Sequence, residues 1–338
     1  MKFVGVDLHK QSITVCAVNQ ARKVHERKRF LCEDTECIRQ YFEKCGPCRV
    51  VVEATASYEW LLRLIEPVVT RVVLAHPKKL RVIAESTRKS DKVDAQVLAE
   101  FLALDMIPRS YRPTPRQREH RRLVRQRISI VRRITSAKNR LRRILSDYNA
   151  DRPGLFSAVG RAYLWQVPLS KADRFAAEQI QAECDFFGRQ RSAAQGRIRE
   201  FAAAAPAAEV EARALLRTIP GVGEITAEVV LAEIADIKRF RSAKQVVAYA
   251  GLSPGQRESA GKSRELHIEK EGSKYLRWVL VEAAWQLVRR SAYWKTIYEQ
   301  LKERLRAKRA IVAVARRLLG VMTAILKSGR RYQPAHVA

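Results

Sequence analysis

The sequence predicts an α/β amino-terminal domain with a mixed sheet, then a long helical segment, then a mainly helical carboxy-terminal domain. Three observations predict it. Short β-branched runs alternate with helical patterns over residues 2–104. Prolines 108, 113 and 115 then punctuate the chain. From about Gln117 the apolar residues recur every three or four positions. These breaks set the expected boundaries at 1–112, 113–205 and 206–338.

In chain order, residues 2–7 (KFVGVD) read as a buried strand ending on an acid, 12–19 (SITVCAVN) as a second strand and 23–31 as a third. Residues 35–44 form a short helix with Ile38, Tyr41 and Phe42 on one side. The β-branched run Arg49 to Glu53 suits a central strand buried on both faces. A helix over 57–66, a strand over 71–75 and a helix from Asp91 to Leu104 complete the domain. In the middle segment Val124, Ile128, Val131, Ile134, Leu141, Leu145 and Tyr148 make a narrow apolar seam interrupted by Lys138, as in a coiled coil or helical hairpin. Such a seam points to a dimer or higher homo-oligomer. Residues 151–175 read as irregular and 176–205 as helix, the second arm of a hairpin.

Lys and Arg number 65 against 35 Asp and Glu, a formal net charge of +30. A surplus of that size repels itself unless something neutralises it, and nucleic-acid phosphates do so with release of counterions. A solubility device needs far less charge. From Arg109 to Arg143 there are 14 Lys or Arg and a single acid, Glu119. A solvated helix mixes its signs, so Arg121, Arg122, Arg125, Arg132, Arg133, Lys138 and Arg140 are candidates for tracking phosphates. The start, MKFVGVDLHK, has no long apolar run, and the most apolar late stretch is broken by Arg316 and Arg317, which argues against a membrane span and for the bacterial cytoplasm, at the nucleoid. The six cysteines then read as thiols. A zinc site of Cys32, Cys37, Cys45 and Cys48 is the alternative.

Asp7 ends the first strand and Glu53 the central one, while Asp91 and Asp94 lie three apart at the start of a helix. Strand ends of an open α/β sheet are where sites assemble. Four converging carboxylates need cations between them, and oxygen-only ligands suit Mg²⁺ or Mn²⁺. Each acid alone has an ordinary explanation, a helix cap for Asp94 or a strand end for Asp7. The order strand-Asp, strand-Glu, helix-Asp-x-x-Asp is that of the RNase H-like, RuvC-like nuclease fold.

GVDLHK around Asp7, VVEATASYEWL around Glu53 and KSDKVDAQVLAEF around Asp91 and Asp94 resemble the DEDD transposases of bacterial insertion sequences. Further on, TIPGVGEITAEVVLAEI, FRSAKQVVAYAGLSP, ESAGK and GSKYLRWVLVEAA look like that family's second transposase domain, in the same order. The resemblance implies a RuvC-like domain with metal-ligand acids at Asp7, Glu53, Asp91 and Asp94, a helical insertion, and a carboxy-terminal domain with a nucleophilic serine at Ser259. It also implies an oligomer that cuts and rejoins DNA under the guidance of a structured RNA. Many members have two adjacent serines here, whereas this chain has Glu258 before Ser259.

A serine hydroxyl needs help to become a nucleophile. The sequence puts Pro254 and Gly255 in a loop before Ser259 and small residues after it, with Arg257, Lys262 and Arg264 near enough in sequence to hold a phosphate. The acidic cluster would meet this serine from the other domain or another subunit. Ile219 to Gly223 resembles a phosphate-gripping helix-hairpin-helix turn or is a tight structural turn. Tyr275, Trp278 and Trp285 read as core, and Lys327 to Tyr332 as a basic, phosphate-contacting or disordered tail. Two other readings compete: a RuvC-like, metal-dependent, structure-specific endonuclease with no covalent intermediate, and a nucleic-acid-binding protein without activity.

Overall fold

A computed structural model describes every residue except Ala56, 84–90, 260–261, 269–270 and 335–338; the side chains of 81–83, 91–93, 256–259 and 262–267 also lie outside the description. The chain divides into two compact units, Met1–Arg112 and Pro113–Ala338.

The first unit runs β1 (Lys2–Leu8), β2 (Ser12–Val18), β3 (Val24–Leu31), α1 (Thr35–Cys45), β4 (Cys48–Glu53), α2 (Glu59–Ile65), β5 (Arg71–Ala75), α3 (Pro77–Ile83) and α4 (Asp91–Ala103). The five strands form one mixed sheet in the order β3-β2-β1-β4-β5. β1 pairs antiparallel with β2 and parallel with β4, which pairs parallel with β5. The β-branched run of β4 is buried because helices cover both faces. Val4, Val6, Val50 and Val52 pack against Ile38, Phe42, Leu61 and Leu62 on one side. On the other, Phe3, Val51 and Val73 meet Ala95, Leu98, Ala99 and Leu102 of α4.

Gly5 sets the distance of α4 from the sheet. A Cβ there would lie 2.0 Å from the Ala95 carbonyl oxygen and 2.6 Å from the Ala99 nitrogen, so helix backbone rests directly on strand backbone. The direction of α4 follows from its far end. Arg49, the cross-strand partner of Phe3 at the amino end of the sheet, donates from Nη2 to Asp105 Oδ1 at 3.1 Å, just beyond the last turn of α4. The helix therefore runs antiparallel to β1 and β4, and its first turn overlies their carboxyl ends.

The second unit begins with α5 (Pro115–Asp147). Thr114 caps it in a reciprocal box with Gln117, and Pro115 occupies the first turn. After α6 (Ala158–Gln166) comes α7 (Lys171–Ala203), which lies antiparallel on α5: Tyr148 bonds Asp173 near one end, and Arg116 reaches the Phe201 carbonyl at the other. Thus the seam of α5 is filled by its own chain. Ala137, Leu141 and Leu145 pack against Ala177 and Ile180, while Val124 and Ile128 join Ile198 in the core of the remaining helices. The seam carries no argument for a second subunit. Ala137, not the predicted interruption at Lys138, occupies the middle of the stripe.

The segment 151–175, read from sequence as irregular, contains α6 and the start of α7. The helix α6 buries only Leu164, so it has no periodic stripe to betray it; Ser157 caps it by accepting from the Gly160 N–H at 3.1 Å. The rest is α8 (Ala207–Arg217), α9 (Glu224–Ile234), α10 (Ala243–Tyr249), β6 (Pro254–Ser259), β7 (Lys262–Ile268), α11 (Lys274–Arg290) and α12 (Ala292–Ser328), the last kinked at Arg306. Gly221, at φ +81°, lies under the backbone of Gln286 and Leu287, which makes the turn between α8 and α9 a packed structural turn. Tyr275, Trp278 and Trp285 are partly buried against this unit's core. The basic tail is also fixed to it: Lys327 Nζ donates to the Phe240 carbonyl at 2.7 Å, and the Tyr332 N–H donates to Thr218 Oγ1 at 3.0 Å.

Gly5→Ala is expected to push α4 off the sheet and to lower the unfolding free energy by about 3 kcal/mol. The urea midpoint would fall accordingly, whereas Gly188→Ala, at a site with open space for a Cβ, would leave it unchanged or raise it.

Candidate active site

Two of the four predicted acids stand side by side. Val6 is paired with Val52, so Asp7 and Glu53 follow on adjacent parallel strands, and period-two alternation puts both on the face covered by α4. Asp7 lies two residues beyond Gly5, about 7 Å along the strand. Asp94, the residue before Ala95, is exposed on the first turn of the antiparallel helix at this same end. Asp91 opens α4 one turn before Ala95; its side chain is outside the described residues. The Asp7 side chain is 13% exposed, and its Oδ2 lies 2.9 Å from His9 Nε2. His9 has the strand spacing of Asp7 and was not singled out from sequence, although it stands in GVDLHK. Among the described residues no three His, Cys, Asp or Glu side chains are close enough to hold a metal ion. The four predicted acids offer carboxylate oxygens alone, a set that suits a hard divalent cation.

The predicted cysteine cluster is not gathered into a four-thiolate group among the described residues. Cys32 donates to the His9 carbonyl at 3.7 Å, and Cys37 is exposed on α1. A hydrogen bond from Cys48 lowers the Cys45 thiol to about 7 and raises Cys48 in turn.

Ser259 ends β6 and is paired with Lys262, the first residue of β7. Pro254 and Gly255 belong to the strand itself, not to a loop before it. Arg257 is the cross-strand partner of Arg264. By register, Arg257, Ser259, Lys262 and Arg264 occupy one face of the ribbon and Glu258 the other.

The seven basic residues chosen on α5 divide by what they touch. Arg121 donates to the carbonyls of Ala232 and Glu233 at 2.8 and 3.0 Å, closing the carboxyl end of α9. Arg125 grips the fully buried Glu233 with two bonds of 2.7 and 2.9 Å, and Ser273 Oγ donates to the same carboxylate at 2.9 Å. Arg140 pairs with Glu183. Arg132 and Arg133 lie over the rings of Tyr275 and Phe187, and Lys138 over Phe156 at 4.6 Å. Arg122 is exposed and has no ion pair among the described residues.

A second anchor was missed from sequence. Glu228, 2% exposed on α9, receives Arg213 Nε at 2.6 Å and lies 2.7 Å from His120 Nε2. Beside it Arg116 holds Glu209 with two bonds of 2.9 Å and covers the Phe201 ring. The available signal was two acids inside the apolar run of α9, AEVVLAEI, which burial obliges to find partners. Arg127 is a further omission. Its Nε is buried with no hydrogen-bond partner among the described residues, and burial, then the Arg191 charge, push its pKa down.

The family model described as Transposase IS116/IS110/IS902 family matches residues 213–299, and the model of the IS110 DEDD transposases matches residues 4–150. The chain belongs to this family of transposases. It is 28% identical to the transposase for insertion sequence element IS1328 of Yersinia enterocolitica, over 86% of this chain and 85% of that one. To the transposase for insertion sequence element IS1111A of Coxiella burnetii it is 26% identical, over 98% and 92%. With the pilin gene-inverting protein of Moraxella bovis it shares 23% identity over 98% and 97%. Transposases act on DNA, which suits the charge of +30. Among the described residues no helix is long and apolar enough to cross a membrane.

Burial by itself raises the Glu228 pKa, but the bonds from His120 and Arg213 outweigh it, and the net shift is downward from 4.5. A carboxyl held low in the folded state stabilises fully above the unfolded value and loses that contribution as pH falls through the folded one. The transposase is therefore expected to lose thermal stability below about pH 4.5. Glu228→Gln should melt lower at pH 7 and show a flatter fall in Tm on acidification.

Proposed function

We propose that this transposase breaks and rejoins DNA through a covalent intermediate on Ser259, and that Asp7, Glu53, Asp91 and Asp94 of an RNase H/RuvC-like domain hold Mg²⁺ or Mn²⁺. The observation that carries the reading is the ribbon register, which gives the serine position three basic neighbours on its own face, Arg257, Lys262 and Arg264. Bound at the acidic end of the sheet, the cation would supply Lewis-acid stabilisation of phosphoryl charge. The arginines and Lys262 bind and orient the phosphodiester and offset charge on the pentavalent phosphorus.

In the first step Ser259 Oγ bonds to phosphorus, one phosphorus–sugar oxygen bond breaks, and the serine proton ends on the released sugar hydroxyl. The second step is the reverse with a hydroxyl of another strand, which restores the serine. The number of phosphodiester bonds is unchanged, as inversion or insertion of a segment demands. The gene-inverting relative from Moraxella favours this reading over hydrolysis, because inversion must rejoin each end that it cuts. On the strength of the family resemblance, a structured guide RNA, a homo-oligomer of two or four copies and a place at the bacterial nucleoid belong to the same reading.

The discriminating experiment is a pair of substitutions. Ser259→Ala is expected to abolish the denaturant-resistant protein–DNA adduct and all strand exchange, and Asp7→Ala to abolish cleavage while DNA binding persists. Normal cutting by Ser259→Ala with none by Asp7→Ala would make the protein a water-using nuclease instead. The α5 surface is tested separately. Arg122→Ala should reduce the slope of log affinity against log salt by about 1 with Tm unchanged, whereas Arg121→Ala should lower Tm.

A further inference from the structure

We propose that a cavity at the end of the carboxy-terminal helices binds an unpaired nucleotide of a nucleic-acid strand, with its base against aromatic rings and its flanking phosphates on three arginines. The cavity, of about 540 Å³, is lined by the first turn of α12, the last turns of the same helix and the tail that follows it. Its aromatic members are Tyr293, Trp294 and Tyr332. The Trp294 indole N–H donates to the Tyr332 hydroxyl at 2.9 Å, and Tyr293 meets Trp294 edge-on at 5.7 Å, so the rings are held in place before anything binds. Tyr332 retains its own O–H proton as a donor for a base edge.

Arg317, Arg330 and Arg331 also line the cavity, all exposed, none in an ion pair among the described residues. No acid lines it. Elsewhere in this unit Arg116 and Arg125, which also approach aromatic rings, are matched by Glu209 and Glu233, while Arg132 and Arg133 over Tyr275 and Phe187 have no ion pair among the described residues. Here the rings and cations occur without the anion, and a phosphate supplies it. Stacking on rings accepts any base, and guanidinium groups take phosphate bidentately. A base inside a duplex cannot enter such a cavity without leaving its stack, which selects an unpaired strand. Three arginines at separate points of the lining ask for consecutive phosphates and not for a lone nucleotide. The lining of the cavity includes neither Ser259 nor any of the four acids, so the proposal stands or falls apart from the strand-transfer chemistry.

Because a chain of charge +30 binds nucleic acid at many places, the test must resolve residues. The full-length protein is photo-crosslinked to 5-iodouracil-substituted 12-mers of one sequence as single-stranded RNA, single-stranded DNA and duplex DNA, and the adducts are mapped by mass spectrometry. The expected result is an adduct at Tyr293, Trp294 or Tyr332 with one or both single strands, in at least tenfold lower yield with the duplex. The arm that reacts identifies RNA or DNA as the source. The double variant Arg317→Glu/Arg331→Glu should lower that adduct at least tenfold while total filter binding changes by less than threefold. If its melting shows a folding defect, Arg317→Gln/Arg331→Gln is used instead. Adducts only outside the cavity, equal yield with the duplex, or adducts indifferent to the arginine changes would overturn the proposal.

Discussion

The contact between α4 and β1 at Gly5 is the constraint on which the arrangement of the acids depends. Any side chain at that position would stand between helix and sheet backbones. With none, the helix lies close enough for Ala95 and Ala99 to bury fully, and its antiparallel run carries Asp91 and Asp94 to the end where β1 and β4 deliver Asp7 and Glu53. The small residues Gly5, Ala95 and Ala99 thus contribute as much to the acidic end of the sheet as the acids themselves, by fixing a distance and not by any chemistry of their own.

In the second unit the comparable role falls to two buried carboxylates. Glu228 and Glu233 sit five residues apart on α9, and between them they hold side chains from α5, from α8 and from the cap of α11. Removing one partner from such a pair leaves a buried charge uncompensated, at a cost of roughly 3–5 kcal/mol. Gly272 and Ser273 of the GSKYLR segment are explained by the same anchor. Gly272 lies against the Tyr249 carbonyl where a Cβ would be 2.2 Å away, and Ser273 both caps α11 and donates to Glu233.

Much of the first unit was legible in sequence because its strands are short, β-branched and bounded by turn residues, and because α4 carries one clear apolar stripe. The exchange of partners along α5 was not. Periodicity finds a buried stripe but does not say whether the chain itself or a second copy covers it, and the seam of α5 is closed by α7 and by the carboxy-terminal core. The α6 helix escaped notice since one buried residue makes no period. Among the candidate site residues, the acids were recognisable from strand ends and helix spacing. Arg121 and Arg125 were not separable from Arg122 by type or spacing, because only the position of α9 decides which guanidinium meets a carboxylate or a carbonyl.

Formal charge and available charge are therefore different quantities in this molecule. Several of the guanidinium groups on the most basic helix are already neutralised from within, by Glu209, Glu233 and Glu183, or capped over an aromatic ring. Only cations free to meet a phosphate displace the counterions condensed on a nucleic-acid strand. The ionic strength at which this protein lets go of a strand is set by that smaller set, and titrations interpreted with all of its lysines and arginines would overstate its electrostatic reach.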